Sequence, residues 1–495
     1  MAEQVDPRQA YRYADYPPYD VAAIRRQTLL KLGLGCVGLS MILFAGVTLA
    51  ILIITPIWFR SLPTSEQVVW MNRIPMLEAF KPTRVYAADV LPTAQVDLEA
   101  AKTALLNPQT PIPTASSTPL PGPTSLLVTN TPVLGPLAAT PTRLPPTAIA
   151  LLPTASPTPT LPPTPLPTQI PAPVAYQGQG FRFIKQTWNT CGPANLTQAL
   201  LYLGWQGTKE QVIDYLKPNV EDRNVSPWEM VNYVNDYLNA QRNVPIRALM
   251  RVGGDMNLIK RLVANNFGVI LEKGYFVAGE GWMGHYLTVQ GYDDTRREMH
   301  GLDTYLGDRW EAYDTLDERW QQFNRLFIVL YPQDRERELA TVLGPYQDPT
   351  YGVRAALAKA QEEANLRPEN PFAWFNIGSA YTLLGDYKNA ARAFDLARSV
   401  GEQLPFRMLW YQFTMYEAYY NVGQYGEVEA LAQATLGTSS DLEESHYWRG
   451  MALAAQGNTD GAIRAFQRAL TINPKFTPAR DRLAEVRNGT FRKPV

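Results

Sequence analysis

From Leu32 to Phe59 the chain reads LGLGCVGLSMILFAGVTLAILIITPIWF, with no charged residue. An apolar run of about 28 residues exceeds the roughly 20 needed to cross a bilayer, so the pattern predicts a transmembrane helix rather than a buried core helix. A cleavable signal has a shorter apolar core, about 7–15 residues, with its cleavage site close behind. VYAAD at 85–89 has the look of such a site but lies too far downstream. The run therefore reads as an uncleaved signal anchor. Arg25, Arg26 and Lys31 precede it and only Arg60 follows closely. That asymmetry leaves the tail, 1–31, in the cytosol and sends everything after the anchor, 32–59, outside the cell membrane.

Further along, the pattern changes three times. Residues 60–107 form a juxtamembrane segment with one helix-like piece, 96-VDLEAAKTALL-106. The segment 108–177 is rich in Pro and Thr, with Arg143 as its only charge. Proline removes amide donors and fixes φ, so this part reads as a disordered, semi-extended stalk. In 178–335 helical spacing comes first: Leu196, Ala199, Leu200 and Leu203 recur on one face after Cys191. Helices are then predicted over 208–216 and over 226–238, the latter with Ser226 as N-cap and Pro227 at the first position. Strands follow at 246–252, 268–276, 284–294 and 325–332, with helices at 255–266 and 315–323 between them. Helices first and a mostly antiparallel sheet second is an α+β layout. The last part, 336–490, is all helical. The expected fold class is thus multidomain: transmembrane helix, disordered Pro/Thr linker, α+β domain and helical solenoid.

Composition narrows the chemistry. A formal net charge of −1, with both signs interspersed, argues against a nucleic-acid footprint. Two cysteines make no disulfide framework, and three histidines, His285, His300 and His446, make no metal cluster. No metal or organic cofactor is implied. Cys36 lies inside the apolar run, which leaves Cys191 as the lone thiol of the remaining chain.

Cys191 stands at the start of a predicted helix in 186-QTWNTCGPANL-196. Free amides and the helix dipole there favour a thiolate. A histidine much later, on a strand, is the partner such a nucleophile needs, with a third group to orient the imidazole. His285 opens 284-GHYLTVQGYDD-294, and Asp303 follows His285 by 18 residues. Asp293 and Asp294 are the other candidates for the third group. The pattern Q-x4-C-G-P, then GHYLTVQGYDD, then that Asp, resembles the C39-like branch of the papain-like cysteine peptidases over about 178–335. The resemblance implies Cys191 as nucleophile, His285 as general base and Asp303 as orienting acid. It also implies an oxyanion hole from Gln186 and the Cys191 amide. One departure is that Thr304 follows Asp303, where the family commonly has Pro. Better-known members cut leader peptides from within ABC transporters; no transporter motif occurs in this chain. His300, near a turn, is expected to be exposed.

The C-terminal part repeats itself. In 374-WFNIGSAYTLLGDYKNAARAFDLA-397 and 446-HYWRGMALAAQGNTDGAIRAFQRA-469, Gly378 matches Gly450, Gly385 matches Gly457, and Phe394 matches Phe466. A middle copy spans 412–436 around Gly423, and a partial copy at 353–371 caps the array. The step from Gly423 to Gly457 is 34 residues, the period of tetratricopeptide (TPR) repeats. Such an array either presents a concave surface to a peptide or protein partner or braces the neighbouring domain.

The expectation is a membrane-anchored, extracytoplasmic cysteine peptidase that acts on a peptide or protein substrate, with TPR repeats for protein or peptide binding. Two other readings stay open. Thioacyl transfer to an amine (transpeptidase or amidase) uses the same residues, and a non-catalytic, peptidase-like binding module or scaffold uses only the fold.

Overall fold

The computed structural model describes residues 172–277, 281–401 and 403–494, together with 41, 44–46, 53–62, 70, 74, 76–77, 91–94 and 97–106. The chain divides into two units, Met1–Pro82 and Thr83–Val495.

In the first unit the described helical run is 53–61. Among the described residues no helix is long and apolar enough to cross a membrane. The transmembrane helix expected over 32–59 is corrected accordingly; 32–40, 42–43 and 47–52 of that run lie outside the described residues, as do 108–171 of the expected stalk.

The second unit opens with α1, Leu98–Leu106, the helix-like piece of the sequence. Its Leu105 is fully buried in the same core as the C-terminal helices, and its carbonyl accepts from Gln361 Nε2 at 2.9 Å. Next comes β1, Ala175–Gln177, which composition had placed in the stalk. It pairs with Gly291–Asp293 of the longest strand.

Three helical segments follow: α2 (Cys191–Tyr202), α3 (Lys209–Leu216) and α4 (Pro227–Asn232). Thr208 and Gln211 close a capping box on α3. Beyond α4 the chain continues as a π-helical turn, Tyr233–Asn239. The sheet then unfolds as β2 (Ile246–Arg251), β3 (Gly268–Val277), β4 (Gly281–Asp293), β5 (Glu298–Asp303), β6 (Gly307–Ala312) and β7 (Phe327–Pro332). Between them lie α5 (Met256–Ala264), capped by Asp255 at 2.8 Å, and α6 (Tyr313–Gln321). The seven strands run in the order β2-β7-β3-β4-β5-β6, with β1 also on β4, and every pairing is antiparallel.

Side chains alternate across a strand, so each strand feeds two cores. Ile270, Tyr286, Ile328 and Leu330 face α2, α3 and α4. Val269, Leu271, Leu287, Val289, Phe327 and Val329 face α5, α6 and a further helix, α7 (Glu336–Leu343). Helices on both faces hold β4 rigid where it carries His285. The α+β reading stands. α7 packs into the sheet's core through Leu339, Val342 and Leu343, so the solenoid proper begins after it.

That solenoid is α8 (Pro349–Leu366), the pairs α9 (Pro371–Leu383) with α10 (Tyr387–Ala397), α11 (Thr414–Asn421) with α12 (Tyr425–Thr438), α13 (Glu443–Ala455) with α14 (Thr459–Ile472), and a closing α15 (Thr477–Arg487). The matched small residues have a measurable reason. A Cβ on Gly378 would come 2.8 Å from the Phe394 ring, and one on Gly450 would come 2.7 Å from Phe466. Gly385, Gly423 and Gly457 turn each pair at φ +80, +78 and +86, where side chains are strained. The first helices of the pairs lean on the α+β domain. Asn376 of α9 donates to the Gln321 carbonyl at 2.7 Å, and Ser226 donates to Glu444 of α13 at 2.9 Å. The array therefore braces its own neighbour.

Gly450→Ala should destabilise the protein by about 1–3 kcal/mol through overpacking on Phe466. Gly437→Ala, with no atom near its new Cβ, should be neutral or stabilising by up to about 1 kcal/mol. Urea unfolding compares the two; equal effects would contradict the packing account.

Candidate active site

Cys191 is the first residue of α2, with Thr190 as its N-cap. The preceding turn is fixed by its own polar groups. The Thr187 amide donates to the Thr190 hydroxyl at 2.8 Å, and Asn189, at φ +48, reaches the Asp222 carbonyl at 3.1 Å. The thiol is half-buried, and it faces β4.

His285 on β4 is 2% exposed and Asp303 at the end of β5 is 1% exposed. His285 Nε2 lies 2.9 Å from Asp303 Oδ1. The same oxygen accepts the backbone N–H groups of Tyr305 and Leu306 at 3.0 and 2.9 Å. Asp303 thus caps the β5–β6 turn and orients the imidazole with one atom. With Nε2 engaged, Nδ1 is left for the hydrogen bond to Cys191.

The electrostatics follow from that line of three groups. Burial opposes charge on His285, but the Asp303 carboxylate, its hydrogen bond and Cys191 push the imidazole up to about 9. Burial would raise Asp303 too; the charge and hydrogen bond of His285, the Leu306 amide and Lys273 hold it well below the usual carboxylate range. Cys191 would also rise on burial, yet the hydrogen bond and charge of His285, the Tyr286 amide and Lys217 bring it below its ordinary value. The arrangement favours thiolate beside imidazolium.

Gln186 comes to the same place by a route the sequence did not suggest. Its Oε1 accepts from the Thr304 hydroxyl at 2.7 Å, and its backbone N–H donates to the Thr304 carbonyl at 3.0 Å. Thr304 is fully buried. Its hydroxyl oxygen also accepts from Asn195 of α2 at 3.2 Å. Thr304 is therefore a tie between the Gln186 loop, the Asp303 turn and the helix that begins at Cys191.

Other sequence candidates fall elsewhere. Asp294 pairs with Lys260 at 2.9 Å and accepts from Tyr313 at 2.8 Å. Asp293 accepts the amides of Thr295 and Arg296 in a turn. Asp293 ends β4, eight residues or about 26 Å of strand from His285, and Asp294 follows it. His300, expected to be exposed, is 8% exposed. It stacks on Trp310 at 4.4 Å, meets Gln177 at 2.8 Å, and pairs with Asp308.

The repeat array also reaches this centre. Its segment Phe406–Trp410 is a short 3-10 turn, and Arg407 donates to the Trp282 carbonyl of β4 at 3.0 Å. A Cβ on Gly284, next to His285, would come 2.9 Å from Tyr411 and 2.7 Å from Phe323. Arg223 lies over both Trp188, three residues before the thiol, and Trp410, at 5.1 and 5.7 Å. A separate cavity of about 130 Å³ lies between Glu272, Tyr411 and Trp448, and neither Cys191 nor His285 lines it. Lys217 and Tyr411 were missed by sequence reasoning, since neither lies near a motif.

Comparison with known proteins agrees with this architecture. A family model described as Peptidase_C39 like family matches residues 178–328. Two tetratricopeptide repeat models match 353–405 and 443–476. The chain carries a C39-like peptidase domain followed by TPR repeats. No curated protein matches it. Among solved structures, a protein from Bacillus anthracis described as a C39-like peptidase is 15% identical over 32% of this chain and 97% of its own, with a TM-score of 0.26. MamA 41-end from Desulfovibrio magneticus RS-1 is 20% identical over 28% of this chain and 77% of its own, at 0.24. A double glycine motif protease from an AMS/PCAT transporter, in complex with its leader peptide, is 18% identical over 33% and 99%, at 0.23.

Asp303→Asn should drop the His285 midpoint from about 9 to the ordinary 6.5 or lower, because burial is then opposed by less charge. NMR titration of the imidazole reads this directly. A midpoint that stays near 9 in the variant would show that Asp303 is not the cause.

Proposed function

We propose that this chain is a thiol peptidase whose catalytic groups are Cys191, His285 and Asp303. The observation that carries the reading is the Cys191 thiol beside a buried His285 whose Nε2 lies 2.9 Å from Asp303 Oδ1, set at the N-terminus of a buried twelve-residue helix. A structural cysteine has no use for a buried imidazole held up to about 9 beside it.

The chemistry follows from the atoms. Cys191 Sγ attacks the carbonyl carbon of the scissile bond while the imidazolium holds the thiol proton. The tetrahedral oxygen takes hydrogen bonds from the Cys191 N–H and the side-chain amide of Gln186. Thr304 occupies Oε1 of that amide, which leaves Nε2 as its donor end. His285 then gives its proton to the leaving amine, and the C–N bond breaks. In the second half, His285 takes a proton from water, the hydroxide attacks the thioester, and Cys191 departs as thiolate. Asp303 stays ionised throughout and keeps the ring in register.

The substrate class is a peptide or protein, with the repeats as its second point of contact. Transfer of the acyl group to an amine uses the same nucleophile and base, so an added amine acceptor distinguishes conjugation from hydrolysis.

Cys191→Ala should abolish cleavage of a mixed peptide library while circular dichroism stays unchanged, and Gln186→Ala should lower kcat about 10²–10³-fold. Full cleavage by Cys191→Ala would refute the mechanism. A wild-type protein with an unreactive thiol and no cleavage would favour the binding module.

A further inference from the structure

Where the peptidase domain meets α13, buried carboxyl groups crowd together. Glu229 lies in the first turn of α4, Glu443 and Glu444 open α13, and Asp222 lies in the loop between α3 and α4. They are 9, 1, 2 and 5% exposed. One oxygen from each of Glu229, Glu443 and Glu444 lies within 4.8 Å of the other two. Donors cover part of the group. The Ser226 amide reaches Glu229 and its hydroxyl reaches Glu444, both at 2.9 Å. The Asn473 side chain reaches Glu229 at 3.1 Å and Glu443 at 2.8 Å. Glu443 Oε2, on the most buried of the four residues, has no hydrogen-bond partner.

Charge balance sharpens the question. Lys217 and Arg223 are the cations that act on Asp222. Lys217 also acts on Glu443. Burial and mutual repulsion drive Glu229, Glu443 and Glu444 well above the usual carboxylate range, and that repulsion is what a cation would relieve. All ligand atoms are oxygens. Hard cations such as Ca²⁺ take oxygens at about 2.3–2.6 Å, so opposite ligands stand about 4.6–5.2 Å apart. The observed spacing of 4.8 Å or less fits one ion among three carboxylates.

We propose that Glu229, Glu443 and Glu444 bind one hard divalent cation of the calcium type, which pins the repeat array to the peptidase domain. Ser226 and Asn473 then serve as the outer hydrogen-bond partners that orient the ligands. The site is made by both domains, so the ion binds the docked arrangement and stabilises it by mass action.

The test uses the full chain, treated with EDTA and returned to neutral pH. Equilibrium dialysis with CaCl₂ should show one saturable site, and the thermal midpoint should rise with CaCl₂. Glu443→Gln should weaken binding about tenfold or more, since losing even an outer partner of a metal site costs 10–100-fold. Glu229→Gln, on the opposite wall, is the second variant should the first fail to fold. The proposal is overturned if wild-type protein binds no Ca²⁺ saturably, or binds it equally in both variants. It is also overturned if metal-free protein is stabilised by acidification alone and is indifferent to Ca²⁺, since protons would then neutralise the cluster.

Discussion

The ion pair between Asp303 and His285 is the interaction on which the rest of the site depends. A carboxylate this deeply buried persists only where donors surround it. Here the turn after β5 supplies two amides and His285 supplies a third N–H, all to one oxygen. The ionised Asp303 in turn keeps the imidazole charged. The charged imidazole then lowers the thiol against the opposing effect of burial. Each step needs the previous one, and all of them need β4 and β5 in fixed register, which the helices on both faces of the sheet enforce.

The repeat array is part of the same construction. Gly284 precedes His285 on β4, and the space that its side chain would fill belongs to Tyr411 and Phe323. A residue that looks like motif is thus explained by tertiary contact between domains. Trp188 on the thiol loop and Trp410 on the array share Arg223. Arg223 thus joins the array to the loop that precedes Cys191. The array borders the thiol site and fixes its surroundings, whatever else it binds.

Much of this was legible locally. Asp255 announces its helix and makes the expected cap. The turn glycines Gly385, Gly423 and Gly457 mark the repeats because positive φ admits few other residues. Cys191, His285 and Gln186 were picked out together by the resemblance of QTWNTCGP and GHYLTVQGYDD to the C39-like pattern. What stayed hidden was long-range. Thr304 read as a departure, because its partners Gln186 and Asn195 are more than a hundred residues away. A sign was available: Asn195 and Gln198 are polar on the apolar face of α2, and both are fully buried. The short strand β1 was obscured by the proline-rich composition around it. The apolar run at 32–59 showed the opposite failure, since hydropathy alone predicted a spanning helix that the described residues do not form.

The central claim is that His285 makes Cys191 a reactive thiolate. The direct measurement is the pH dependence of iodoacetamide alkylation at Cys191, in the full-length protein and in its His285→Ala variant. A free thiol titrates near about 8.5. The midpoint should lie clearly below that in the wild type, with a slow, higher-pH profile in the variant. An ordinary midpoint that is the same with and without the imidazole would contradict it.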